Sequence, residues 1–422
     1  IRDPEMSRGL GDVYKRQNCM NILFLTMARF TSVEDRGIYT DLMRKFRNSG
    51  HGIYIVTPIE RRLNHQTNLS EKEGIYLLGV RTLNVQKSSA IEKGVGQLFM
   101  EFLYERAIKK YFRDINFDLI LYSTPPVTFS NVINYCKKVN PKAMTYLLLK
   151  DIFPQNAVDM KMMKKTGVKG LLYNFFRRKE KRLYSLSDYI GCMSPANVRY
   201  IIANNPEINP NKVEIAPNSI ELKRDIISCD KLAIRCKYGL PVNKPILIYG
   251  GNLGKPQGIP FLIECLNVNK TREDCHFVII GNGTEYNKLD DWMQNTKPAN
   301  VSLFTRLPKE DYDMLVCSCD VGLIFLDYRF TIPNYPSRLL SYLENKMPII
   351  ACTDKNCDTG TIAEEFGYGL YCPSNNVELF TSCISKILSM DIKMMGEKGY
   401  LFLKKNYLVE HTYNTIIRHC YV

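Results

Sequence analysis

Nowhere in the 422 residues does an apolar run approach the ~18 residues that would span a bilayer as a helix. The longest, such as 20–28, fit single buried strands. Fourteen cysteines are present without one CxxC pair, and Cys317 with Cys319 is the nearest thing to a motif. That leaves buried thiols in a reducing compartment, rather than disulfides or a metal site, as the reading. The five histidines show no partner pattern, and His51 merely follows a helix-ending glycine. No metal is expected. No constellation of paired carboxylates supports hydrolysis. The first strand-to-helix connection, 28–36, lacks GxGxxG, which disfavours a dinucleotide cofactor in that half. Residues 1–19 have no period, no apolar face and no signal-peptide core. They are read as a leader foreign to the fold, which starts naturally at 20.

What is present is ordinary globular material: 45% hydrophobic and 24% charged, with room for two or three domains of roughly 150 residues. The net charge of +14 invites a nucleic-acid reading, but no RNA- or DNA-binding motif accompanies it. The densest basic run, 161–182, interleaves lysines and arginines with Leu171, Leu172, Tyr173, Phe175 and Phe176. Such a segment suits an anionic lipid surface, with Lys169, Phe175, Phe176, Arg177 and Arg178 as the contacts. A solvated helix face over a buried stripe explains the same pattern.

Along the chain, strands at 21–27, 52–57, 74–80, 118–122, 143–149, 188–193 and 213–216 alternate with helices at 37–49, 91–113 and 127–138. After a mixed stretch at 221–230 the alternation resumes, with strands at 246–249, 275–280, 300–304, 321–326, 348–352 and 369–372. Alternation of this kind predicts an α/β fold with parallel sheets covered on both faces. Ligands of such sheets gather at the carboxyl ends of the strands. In the first half those ends carry Ser123, Thr124 and Pro125, then Lys150, Asp151 and Gln155, and then Ser194.

In the second half the stretch 245–265, PILIYGGNLGKPQGIPFLIEC, reads as strand, glycine turn and helix. This unit presents backbone N–H groups to a phosphate. Gly281 and Gly283 mark the next turn, and Gly360-Thr361 precede a later helix. Pro336, Ser337 and Arg338 open another helix, with Arg338 offering a planar fork of donors to a phosphate. Main-chain amides with one guanidinium suit a diphosphate held without a bound metal.

The ordered segments YGGNLGKPQG, FVIIGNGTEYNKL, NVSLFTRLPKEDYDMLVCSCDVGLIFL and PSRLLSYLENKMPIIA resemble the donor domain of family-4 retaining glycosyltransferases. YSTPP, LLLKDIFPQNAVDM and VEIAPNSI resemble the branch acting on bacterial surface polysaccharides, including transferases similar to those for L-fucosamine. The likeness covers 20–422 and implies a GT-B fold, two Rossmann-like domains facing across a cleft, with a final helix crossing back. The implied division is 20–225 for acceptor binding, 226–398 for the nucleotide sugar and 399–422 for the returning helices. Implied donor contacts are Gly250, Gly251, Asn252, Leu253, Lys255, Gln257, Gly281, Gly283, Thr305, Arg306, Pro336, Ser337, Arg338, Ser341, Gly360 and Thr361. Implied acceptor contacts are Arg29, Ser123, Thr124, Pro125, Gln155 and Asn156, and the implied catalytic groups are Asp151, Lys150 and Arg338.

Two departures from the family stand out. Asn252 and Gln257 stand where many members have arginine and lysine, and Pro333 and Ser341 where they have paired glutamates. The resemblance therefore implies transfer of a sugar, an N-acetylated amino sugar from a UDP-linked donor, to a polyprenyl-diphosphate-linked saccharide. The place implied is the cytoplasmic face of the membrane, with no cofactor and no nucleic-acid partner. An epimerase or phosphorylase of the same architecture, or a non-catalytic sugar-nucleotide or lipid-surface binder, are the competing readings.

Overall fold

The computed structural model describes residues 19–84, 90–222 and 230–421, so almost all of the expected leader lies outside the described residues. The chain divides into two compact units. The first comprises the chain up to Pro154, Met163–Ile220 and Val409–Val422, and the second Gln155–Met162 and Glu221–Leu408.

The first unit is built on eight strands: β1 (Asn21–Leu25), β2 (Gly52–Glu60), β3 (Asn68–Lys72), β4 (Ile75–Thr82), β5 (Leu119–Ser123), β6 (Met144–Leu149), β7 (Tyr189–Cys192) and β8 (Val213–Ile215). Their order across the sheet is β3-β4-β2-β1-β5-β6-β7-β8. NILFL, LILYS and MTYLLL are unbroken apolar stretches because both faces of the central strands are covered by helices. All neighbours run parallel except β3, which pairs antiparallel with β4. The sequence reading has no β3. NLSEK is mostly exposed and carries no apolar alternation, which is the composition of a guarded edge strand.

The second unit carries β9 (Ile246–Asn252), β10 (His276–Asn282), β11 (Val301–Phe304), β12 (Val321–Phe325), β13 (Ile349–Thr353) and β14 (Gly369–Pro373). Their order is β11-β10-β9-β12-β13-β14, all parallel. This is the doubly wound arrangement, and its topological switch lies between β9 and β12. Leu247, Tyr249, Phe277, Ile279, Leu323 and Phe325 fill one core of this unit with the helices around them.

The helix Ile392–Asn406 belongs to the second unit. A Cβ at its Gly396 would lie 1.9 Å from the Lys346 carbonyl oxygen, so only glycine lets the helix press this close. The next helix, Val409–Ile417, packs in the first unit. There Tyr413 sets its edge on Phe46 at 4.9 Å, and the Val409 N–H donates to the Ile220 carbonyl at 3.0 Å. The division thus falls after Leu408 rather than at the expected 399, and Gln155–Met162 join the second unit rather than the first.

Candidate functional site

The strand β9 runs out through Tyr249, Gly250 and Gly251 beside the switch point. Gly251 has φ 137°, and a Cβ there would stand 3.2 Å from the guanidinium carbon of Arg338. Glycine is required both for the backbone angle and for the approach. Arg338 opens the helix Arg338–Glu344, and its guanidinium carbon lies 4.4 Å from the centre of the Tyr249 ring. That is cation–π distance. The Tyr249 hydroxyl donates to the Asn252 carbonyl at 2.7 Å, which holds the ring in place. Nη1 of Arg338 is shut from solvent and has no hydrogen-bond partner among the described residues. Burial works against the charge of this guanidinium, and the oxygens of Tyr249 and Tyr342 outweigh it, so the group is held above its ordinary value. A buried donor without a partner costs about 1–3 kcal/mol, and more when charged. An anion at this position would recover that cost.

Four loops meet around this pair. The Leu253 N–H donates to the Asn282 carbonyl, and the Glu285 N–H to the Leu253 carbonyl, both at 2.9 Å. A Cβ at Gly281 would lie 1.8 Å from the Gly251 oxygen, so the turns after β9 and β10 close on one another only through glycine. The Asp327 N–H donates to the Pro256 carbonyl at 3.0 Å, tying in the turn after β12. Asn356 Nδ2 donates to the Phe330 carbonyl at 2.8 Å, joining the turn after β13 to the one after β12.

The predicted donor residues occupy these loops unequally. Asn252 Nδ2 donates to Gln257 Oε1 at 2.8 Å, so these two neutral side chains brace the loop from within. Lys255 and Ser337 are exposed, and Ser337 starts its helix without a side-chain cap. Pro336 and Ser341 are half-buried, Leu253 is buried, and Gly283 is exposed at the end of β10. Thr305 and Arg306 lie exposed just past β11. Gly360 differs from the expectation of an open amide loop. It is buried inside the helix Thr359–Glu365, where a Cβ would meet the Tyr371 ring at 2.6 Å, while Thr361 donates to the Asp358 carbonyl at 3.1 Å. Packing explains this glycine.

In the first unit, Thr124 Oγ1 donates to the Asp151 carbonyl at 3.1 Å. It also accepts from the N–H groups of Lys150 at 3.1 Å and Asp151 at 3.3 Å. Ser123 and Thr124 are buried, so they clamp strand ends and do not offer a ligand surface; Pro125 alone of the three is exposed. Lys150 Nζ donates to the Ala216 carbonyl at 3.0 Å. Burial lowers its ammonium to about 7, partly offset by the Cys192 thiol nearby. Asp151 is half-buried beside it and Arg29 is exposed. Gln155 belongs to the second unit, where its Nε2 donates to Asp159 at 2.7 Å and to Thr331 at 3.2 Å. Asn156 shares that short helix.

The lipid-facing assignment divides in the same way. Phe176 is buried with its ring edge-on to Phe153 at 5.0 Å. Arg177 is taken up by the Asn204 carbonyl and Asn205 at 2.9 and 2.7 Å, and by Glu180. Neither faces a membrane. Phe175 and Arg178 are exposed, together with Leu171 and Leu172. The side chain of Lys169 lies outside the described residues. Among the described residues no helix is long and apolar enough to cross a membrane.

The sequence reading missed Tyr249, Tyr312 and Tyr342, the three aromatic hydroxyls around Arg338. Tyr249 and Tyr342 sit in apolar surroundings that read as core. Their only signal is the phenol itself, which needs a polar partner when buried.

Residues 230–401 match the model of the family described as glycosyl transferases group 1. The chain is 24% identical over 327 residues to the probable glycosyltransferase WbjE of Pseudomonas aeruginosa, covering 76% of this chain and 78% of that one. It is 26% identical over 167 residues to the putative colanic acid biosynthesis glycosyl transferase WcaI of Escherichia coli K12, covering 39% and 40%. Its fold is similar to that of HepE from Anabaena, solved in complex with UDP-glucose, with TM-score 0.66 and 12% identity over 95% of this chain and 99% of that one. The match to glycosyl transferases group 1 falls in the second unit, and together with the WbjE relative it supports glycosyl transfer as the activity of this chain.

Proposed function

We propose that the chain moves a sugar from a nucleotide diphosphate sugar to a lipid-linked saccharide during assembly of a bacterial surface polysaccharide, a capsule or O-antigen. The donor is UDP-linked and its sugar an N-acetylated amino sugar. Transfer retains the anomeric configuration without a metal. The observation that carries this reading is Arg338, whose orphaned Nη1 and aromatic cradle stand against Gly251 at the switch point. WcaI, by its name, serves colanic acid biosynthesis, and HepE binds UDP-glucose; both agree with it.

In this mechanism the departing diphosphate gains negative charge as the anomeric carbon becomes cation-like. The Arg338 guanidinium meets that charge, pre-organised and part-desolvated, where electrostatic stabilisation is strongest. Asp151 orients the acceptor hydroxyl and takes its proton. Lys150, balanced near neutrality by burial, sets the local charge at that strand end. Lys255 supplies the loop's remaining cation. The protein works at the inner face of the cell membrane, attached peripherally.

The test is a thermal-shift panel of nucleotides and nucleotide sugars, since a ligand bound only by the folded state raises its stability. UDP-N-acetyl amino sugars are expected to shift the midpoint most, and Arg338→Ala to abolish the shift. A protein indifferent to every nucleotide diphosphate would end this reading. Release of UDP on adding acceptor separates an enzyme from a binder.

A further inference from the structure

The first unit holds a cavity of about 470 Å³ between the loop after β1, the end of β2 and the antiparallel hairpin β3–β4. This is within the size of small-molecule sites. Its walls carry two cationic side chains, Arg29 and Lys72, together with His65, and among the described residues no carboxylate side chain lines it. Gln66, Asn68 and Ser70 add neutral donors and acceptors, and Ile59 and Leu77 an apolar floor.

The walls are held in place from behind. Ser32 Oγ donates to the Glu73 carboxylate at 2.8 Å, and the Val33 N–H does so at 2.9 Å. Arg47 donates to the Glu73 carbonyl at 2.7 Å. The hairpin turn is thereby latched to the loop that carries Arg29. On the other side the Phe30 N–H donates to Thr57 Oγ1 at 3.1 Å, and Thr57 to the Ala28 carbonyl at 2.8 Å. Loop, strand and hairpin form one frame, and it is the cations that face the cavity, while the acid Glu73 is spent on the latch.

We propose that this cavity binds an anionic saccharide, a sugar unit bearing a carboxylate or a phosphate, as part of the acceptor. Amides and a hydroxyl answer the sugar's hydroxyls, the apolar floor its C–H face, and Arg29 with Lys72 the anion. Naming that sugar as acceptor rests on the glycosyl-transfer reading; the binding itself does not.

The test is a ligand-observed NMR titration of the full chain at low salt with three probes: methyl β-D-glucuronide, glucose 1-phosphate and methyl β-D-glucoside. At least one charged probe is expected to bind about tenfold more tightly than the neutral one, the weight of a charge-assisted contact. The double variant Arg29→Gln, Lys72→Gln is expected to erase that preference, and Lys72→Arg to retain it. Both side chains are exposed, so an unchanged melting midpoint is expected of each variant. Preference for the glucuronide assigns the anion to an acidic sugar of the glycan, and preference for glucose 1-phosphate assigns it to the phosphate end of a lipid-linked sugar. Equal binding of neutral and charged probes, or a preference surviving in the double variant, overturns the proposal. UDP binding measured in parallel separates the two ideas: its absence sinks the donor reading alone, and its presence without charge preference sinks this inference alone.

Discussion

The guanidinium carbon of Arg338 lies 4.4 Å from the centre of the Tyr249 ring, so the charge proposed to meet the donor is positioned by a residue of the central strand β9. An aromatic face holds a planar guanidinium flat and leaves its edge donors free for oxygen ligands. Arg338→Lys keeps the charge but loses the fork and the stacking. It is expected to lower kcat/KM for transfer about a hundredfold, near the loss seen when one donor to a developing oxyanion is removed, with the thermal midpoint held. A Lys variant as active as the parent would remove the guanidinium from the mechanism.

Gly251→Ala tests the other half of that contact. The new methyl group meets Arg338 at 3.2 Å on a backbone with φ 137°. A residue forced into such a region costs about 1–3 kcal/mol. The expected result is a lower melting midpoint together with a raised KM for the nucleotide sugar, read by calorimetry and initial rates. Wild-type values for both would show that the loop has room to spare.

Asp354 predicts a pH dependence of stability. Burial raises its carboxyl from 3.8 to about 6, against the N–H groups of Asn356 and Cys357 that favour the charged form. Between those two values the folded chain keeps a proton that the unfolded chain has lost. Stability therefore falls as pH rises from about 4 to about 6, by about 3 kcal/mol in all, and this contribution is flat above that. Urea denaturation at several pH values should show that slope in the parent and lose it in Asp354→Asn.

Lys150 works in a higher window. Its ammonium is lowered from 10.5 to about 7 by burial, so above pH 7 the folded chain has shed a proton that the unfolded chain still binds. This contribution makes stability rise with pH between those values. Lys150→Met should remove the rise, and should also displace the limb near pH 7 in the profile of kcat/KM. A limb that stays put would relieve Lys150 of any part in the reaction.

Leu171, Leu172 and Phe175 are exposed, whereas Phe176 and Arg177 are engaged inside the first unit. Replacing the first three by serine is expected to lower the partition constant for anionic vesicles at least tenfold, because fully burying one large apolar side chain is already worth about 1.5–3 kcal/mol. Arg177→Ala should instead lower stability and leave vesicle binding alone. The reverse pattern would show that the lipid surface lies elsewhere.

Much of this was legible because alternating apolar strands and glycine turns report on local geometry. Ile246 to Gly251 announces a buried strand and its exit, and Arg338 follows Pro336-Ser337 at a helix start. What stayed hidden depends on contacts between residues distant in sequence. Nothing in PSRLLSY shows that Arg338 would lie on Tyr249, or that Gly360 is small because of Tyr371. The strand Asn68–Lys72 was invisible because an exposed edge does not need the apolar alternation by which strands are recognised. Thr124 and Gln155 looked like ligand groups for the same reason: polar residues at strand ends also serve as internal fasteners.

The return of Val409–Ile417 to the first unit has a bearing on how the molecule is made. Phe46 and its neighbours on the helix Ile38–Asn48 wait for Tyr413 to cover them. Until the segment from 409 onward has left the ribosome, that face stays bare. A premature stop shortly before 409 would thus strike a part of the protein synthesised long before it, far in sequence from the lesion.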